Sequence, residues 1–77
     1  MALIDAQQRR LLQLCDREEW RSSATLISQT SLYRTRQALN RVMSYLLGRG
    51  LVERRPAPGR ESEFRLTEAG HLEARRG

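Results

Sequence analysis

Lysine is absent from this chain: all fourteen of its cations are arginine, set against nine acids. Guanidinium groups suit bidentate contacts to phosphate or guanine, although a GC-rich genome would give the same bias. Cys15 is the only cysteine and His71 the only histidine, so an internal disulfide is excluded and a transition-metal site lacks ligands. Cys15 stands among Leu11, Leu12 and Leu14 and reads as a small core residue. There is no run of about eighteen apolar residues, which excludes a spanning helix. The opening "MALIDAQQRR" has no signal-peptide core, so no membrane association and a cytoplasmic location are expected. Catalytic equipment is missing too. Asp5, Asp16, Glu18 and Glu19 sit at the ends of an early helix, where carboxylates cap or are solvated, and no nucleophile and base are spaced to meet. Without a glycine-rich phosphate loop or a metal-ligand cluster, neither an enzyme nor a cofactor is expected.

What is present is a concentrated positive charge. The net charge is +5, and it is uneven: residues 31–60 hold seven arginines against Glu53 alone, while the segments on either side are close to balanced. Cations gathered this way can displace condensed counterions from a polyanion together. A solvated basic face that keeps the protein soluble is the plainer alternative. Seventy-seven residues make one domain, 1–77, whose core is small enough that nearly every large apolar side chain is needed for packing.

The chain predicts an α+β fold, mostly α. Asp5 caps a first helix, with Gln8 completing a capping box and Ile4, Leu11, Leu14 and Cys15 near one face. Trp20 follows as an expected core anchor. Ser22 or Ser23 caps a short second helix that turns Ala24, Leu26 and Ile27 inward, and "SQTS" interrupts it. A strongly amphipathic helix then starts between Ser31 and Thr35, with Thr35 the preferred cap. At about 100° per residue, Val42, Met43 and Leu46 lie near Leu39, while Gln37, Arg41 and Ser44 point the opposite way with Arg34, and Asn40 lies on the flank. Gly50 ends this helix in a left-handed conformation and lets Leu51 fold back. Gly48, inside the last turn, costs about 1 kcal/mol relative to Ala and has no evident reason beyond fraying or a close neighbour. "LVERR" and "EFRLT" alternate apolar with charged residues around the turn-rich "PAPGRES" and predict a two-stranded hairpin with Phe64 and Leu66 inward. Thr67 caps a final short helix in which Leu72 is the single large apolar residue.

Two helices joined by a tight turn form a helix-turn-helix whose second member is free to enter a major groove, and the hairpin lies beside it as a wing. With "GLVERR" at Gly50–Arg55 and "FRLTEAG" at Phe64–Gly70, the chain resembles winged helix-turn-helix proteins over about residues 20–72. Within that class it is most similar to the DNA-binding core of MarR-type regulators. The resemblance implies three helices, a two-stranded β-hairpin wing and a short C-terminal helix. The turn before the recognition helix is one residue longer than usual, and the wing lacks the Asp-x-Arg pair often found near its tip. The long flanking helices that make the family's dimer and effector cleft are not expected here, so those properties are not carried over.

The expected function is sequence-specific binding of double-stranded DNA by a small, arginine-rich transcriptional regulator, with the 35–48 helix in the major groove and the 54–63 wing on backbone or minor groove. Gln37, Asn40, Arg41 and Ser44 carry the donors and acceptors that distinguish base edges, Arg suiting guanine and Gln or Asn adenine. Arg34 shares their side. Thr35 and Arg36 at the helix start would hold a phosphate, and Arg54, Arg55 and Arg60 on the wing would hold phosphates or reach a narrow minor groove. A palindromic site would call for a homodimer, through the first helix or "HLEARRG". Two alternatives stay open: a protein-binding winged-helix module, such as an adaptor or inhibitor of phage, plasmid or defence origin, and a DNA-bending excision or architectural factor.

Overall fold

The computed structural model describes residues 4–76, apart from the side chain at position 60. Four helices and three strands follow in the order α1 (Ala6–Leu14), β1 (Arg21–Ser22), α2 (Ser23–Gln29), α3 (Arg36–Gly48), β2 (Val52–Pro56), β3 (Ser62–Leu66) and α4 (Glu68–Arg75). A single 3₁₀ turn, Pro58–Arg60, joins β2 to β3. No helix among the described residues is long and apolar enough to cross a membrane.

The helix starts follow their side-chain caps. The Asp5 carboxylate accepts from the Gln8 amide (2.8 Å) and the Gln8 side chain accepts from the Asp5 amide (3.1 Å), which satisfies two of the donors that a helix start leaves orphaned. Ser22 accepts from the Thr25 amide at 3.1 Å, and Thr35 from the Ala38 amide at 3.1 Å. At the end of α3, Gly50 adopts φ 75°, its amide bonds to the Leu47 carbonyl (3.0 Å), and the Leu51 amide reaches back to the Leu46 carbonyl (3.0 Å). A residue with a Cβ would be strained there.

The core is largely leucine: Leu11, Leu12, Leu26, Leu39 and Leu46, together with Met43, have no exposed surface. Ile4, Cys15, Leu51, Val52, Phe64 and Leu66 complete it. Leu12 is buried as deeply as Leu11, and Leu14 only partly, because α4 covers a second flank of α1. There Arg9 donates to the Glu73 carbonyl (3.2 Å) and Gln13 to the Ala74 carbonyl (3.0 Å). The inward side of α4 is Gly70 and Glu73, with Leu72 58% exposed. Burial pushes the Cys15 thiol up to about 12, so it stays a neutral core group.

The expected hairpin is there, β2 pairing antiparallel with β3 from Val52–Leu66 to Pro56–Ser62, but it does not stand alone: β1 pairs antiparallel with β3, Arg21 opposite Phe64 and Ser22 opposite Glu63, making a three-stranded sheet of order β1-β3-β2. Two residues are too few to carry an alternation that sequence could reveal. Trp20, expected as a core anchor, is not one. It is half-buried, and strand alternation places it with Ser22 on the face turned away from Phe64. The guanidinium carbons of Arg55 and Arg65 lie over its ring, 4.5 and 4.4 Å from the centroid. The leucines already fill the space beneath the sheet, so the indole covers the outer face and takes cations as its lid.

Two glycines separate packing from propensity. A Cβ at Gly70 would come 1.7 Å from the Leu51 carbonyl oxygen, whereas one at Gly48 would meet nothing within 4 Å. A close neighbour therefore does not account for Gly48. Gly70→Ala should destabilise the fold by about 3 kcal/mol or more through overpacking. By contrast, Gly48→Ala should raise stability by about 1 kcal/mol; urea titration of both variants checks the opposite signs.

Asp16 anchors the loop after α1. Its carboxylate accepts from the Glu19 (2.7 Å) and Glu18 (2.8 Å) amides, and its carbonyl accepts from the Leu66 amide of β3 (2.8 Å). Those amides, Glu19 first, hold the carboxyl below its ordinary value of 3.8. A depressed folded-state value contributes stability that is present above 3.8 and lost as pH falls through the lower folded value. Acid titration of Asp16→Asn should accordingly show lower stability at neutral pH and a shallower decline below about pH 4.

Candidate nucleic-acid interface

The amphipathic α3 is fixed from below and open above. Leu39, Met43 and Leu46 are fully buried, and Val42 packs partly against the core. Gln37, Asn40, Arg41 and Ser44 on the other side are all exposed, as are Arg34, Thr35 and Arg36 at its start. α2 packs against α3, and Tyr33 in the turn between them rests on the core, so the outward face has a rigid base. At about 100° per residue, Gln37, Arg41, Ser44 and Gly48 form one stripe. Since a side chain at 48 would meet nothing, that stripe ends in bare backbone.

Sequence reasoning passed over part of this surface. Tyr45 lies four residues after Arg41 and is 43% exposed, and the Arg49 guanidinium lies over its ring at 5.6 Å. Arg41, Tyr45 and Arg49 thus follow an i, i+4, i+8 ridge beside the stripe. The spacing was readable, but Tyr45 was overlooked among the apolar positions of the same helix.

The hairpin divides its cations between two faces. Val52 pairs with Leu66 and Arg54 with Phe64, so Arg54 lies on the core side of the sheet, midway along the hairpin. It is exposed, beside a hollow that it lines with Pro56, Ala57, Glu61 and Ser62. Arg55 lies on the opposite face. There it donates to Glu63 (2.7 Å) and stacks on Trp20, while Arg65 donates to Glu53 (2.7 Å) over the same indole. Arg54 and Arg55 are therefore not brought together. The Arg60 side chain lies outside the described residues.

Ion pairing sharpens the charge pattern. Arg36 pairs with Glu61 (3.0 Å) and Arg55 with Glu63. Arg34, Arg41 and Arg54 form no ion pair among the described residues. The acids that follow the basic segment in sequence fold back onto the hairpin and the start of α3, leaving the outward side of α3 with cations that no carboxylate offsets. Thr35 is partly committed, since its hydroxyl oxygen already accepts the Ala38 amide at 3.1 Å. Among the described residues no group of three or more His, Cys, Asp or Glu is arranged to hold a metal ion.

No protein-family model, curated protein or solved structure matches this chain.

Proposed function

We propose that this chain is a sequence-specific double-stranded DNA-binding protein of the winged helix-turn-helix kind, acting as a small transcriptional regulator. α3 is its recognition helix and the β2–β3 hairpin its wing. One observation carries the reading: the side of α3 opposite the fully buried Leu39, Met43 and Leu46 is an exposed row of Gln37, Asn40, Arg41 and Ser44. Amide, hydroxyl and guanidinium groups held on a rigid helix are what major-groove base edges can distinguish. Arg34 and Arg54, exposed and without an ion pair among the described residues, bind phosphates beside the reading helix and set its register. Arg55 is left out of the contact, since it is engaged with Glu63 and Trp20 on the far face of the sheet.

The two motifs on which the resemblance rests meet in the fold. The Thr67 hydroxyl donates to the Gly50 carbonyl (2.6 Å), and the Thr67 amide to the Leu51 carbonyl (3.2 Å). "GLVERR" and "FRLTEAG" are thus the two halves of one junction that sets the hairpin against α3.

A protein-binding winged helix is the second reading. It is favoured by the neutralisation of Arg36, Arg55 and Arg65 by Glu61, Glu63 and Glu53, which lowers the charge offered to a polyanion. A dissociation constant no tighter than about 10⁻⁵ M on every duplex tested at physiological salt would favour that reading.

Selection of bound fragments from random DNA should recover a defined site. On that site Arg41→Ala should lower affinity by about 1–3 kcal/mol and relax preference at one position. Equal loss on all sequences would make Arg41 a phosphate contact only. Titration across salt concentrations separates the wing arginines: Arg54→Ala should flatten the slope of log K against log salt by about 0.9, and Arg55→Ala should leave it unchanged.

A further inference from the structure

Glu61 is the acid at the turn end of the hairpin, and its carboxylate meets the Arg36 guanidinium at 3.0 Å. Arg36 opens α3, beside Gln37 at the start of the reading stripe. Glu61 also lines the hollow of about 340 Å³ that Arg54 borders, together with Ser62. A carboxylate and a phosphodiester present similar pairs of oxygens to a guanidinium fork. We infer that Glu61 holds Arg36 in the free protein in the place of a phosphate, and that a DNA phosphate displaces it on binding, so that Glu61 tunes affinity at this interface. The inference rests on the DNA-binding reading of α3.

The exchange is easy in one direction and opposed in the other. The pair is solvent-facing, with the two side chains 55% and 29% exposed, so holding it contributes little and releasing it costs little. Once a phosphate arrives, however, the displaced carboxylate stays a few ångströms from it, and that repulsion weakens binding. The pair therefore acts as a brake on non-specific attraction: a duplex that supplies a phosphate at Arg36 alone gains almost nothing, whereas one that also satisfies the stripe carries the exchange through.

The test compares wild type with Glu61→Gln, each as the full chain, on a fluorescein-labelled duplex of mixed sequence over a range of salt. Glu61→Gln should bind about five-fold tighter at low salt, as removal of one unit repulsion a few ångströms away in water allows. Its log–log salt slope should steepen by about 0.9, the contribution of one further phosphate contact. In an Arg36→Gln background the same change should give a clearly smaller gain, because no pair remains to be released. Wild-type binding with equal or weaker binding by Glu61→Gln, or an undiminished gain without Arg36, would overturn the inference and leave the DNA-binding reading standing. If neither protein binds the duplex even at low salt, both fail together. Thermal unfolding of each variant confirms that a folded chain is being compared.

Discussion

The backbone of Leu51 is the point at which the chain's parts are locked together. Its amide closes the left-handed end of α3 on the Leu46 carbonyl, and its own carbonyl accepts the Thr67 amide (3.2 Å) where α4 begins. Gly70 lies so close to that carbonyl that no side chain fits between them. The next residue, Val52, starts β2 and pairs with Leu66, the last residue of β3. Three elements thus leave from one small junction, and the direction of the hairpin relative to α3 follows from it. A chain of this length has little buried area with which to fix such an angle, so a few close backbone contacts do what a larger core would do elsewhere.

The same scarcity explains the outer face of the sheet. The helices supply enough leucine to fill the interior, and the sheet's inner face adds Val52, Phe64 and Leu66. The opposite face receives Trp20, Glu53, Arg55, Glu63 and Arg65, and is closed by two cross-strand ion pairs and two guanidinium stacks. Each pair is partly exposed and weak alone, but together they let an exposed sheet face keep an indole partly covered without a further layer of protein. The cost is that two of the hairpin's arginines are occupied.

Much of the fold was legible because it is written locally. The caps at Asp5, Ser22, Thr35 and Thr67, the stop at Gly50 and the two faces of α3 each depend on residues within one or two turns of each other, and the structure has them where the pattern puts them. The parts that escaped depend on distant partners. β1 exists only because Arg21 and Ser22 meet Phe64 and Glu63, and Trp20 lies outside a core that is filled by residues drawn from Ile4 to Leu66. Of the candidate site, the exposed side of α3 was legible for the same local reason. The division between Arg54 and Arg55 followed from strand alternation, but it mattered only once the register showed which face meets the core. The pairing of Arg36 with Glu61 spans 25 positions and leaves no periodic trace.

Charge counted along a chain and charge presented by its surface are different quantities. Residues 31–60 carry a large excess of arginine, yet folding returns Glu61 and Glu63 to that segment, and Glu53 within it turns to Arg65. A domain that relied on bulk attraction to a polyanion would gain nothing from these pairings, since each removes a cation from the counterion exchange that drives non-specific binding. What remains is narrower: a stripe of hydrogen-bonding side chains on α3, with Arg34, Arg41, Arg49 and Arg54 in no ion pair among the described residues. Weakening general attraction while keeping the contacts that depend on base identity raises the ratio of specific to non-specific affinity, and that ratio decides whether a small reader finds its site among many competitors. The acids at the hairpin are therefore compatible with the proposed DNA-binding surface as well as with a protein partner, because they leave the unpaired cations and polar groups gathered on and around α3.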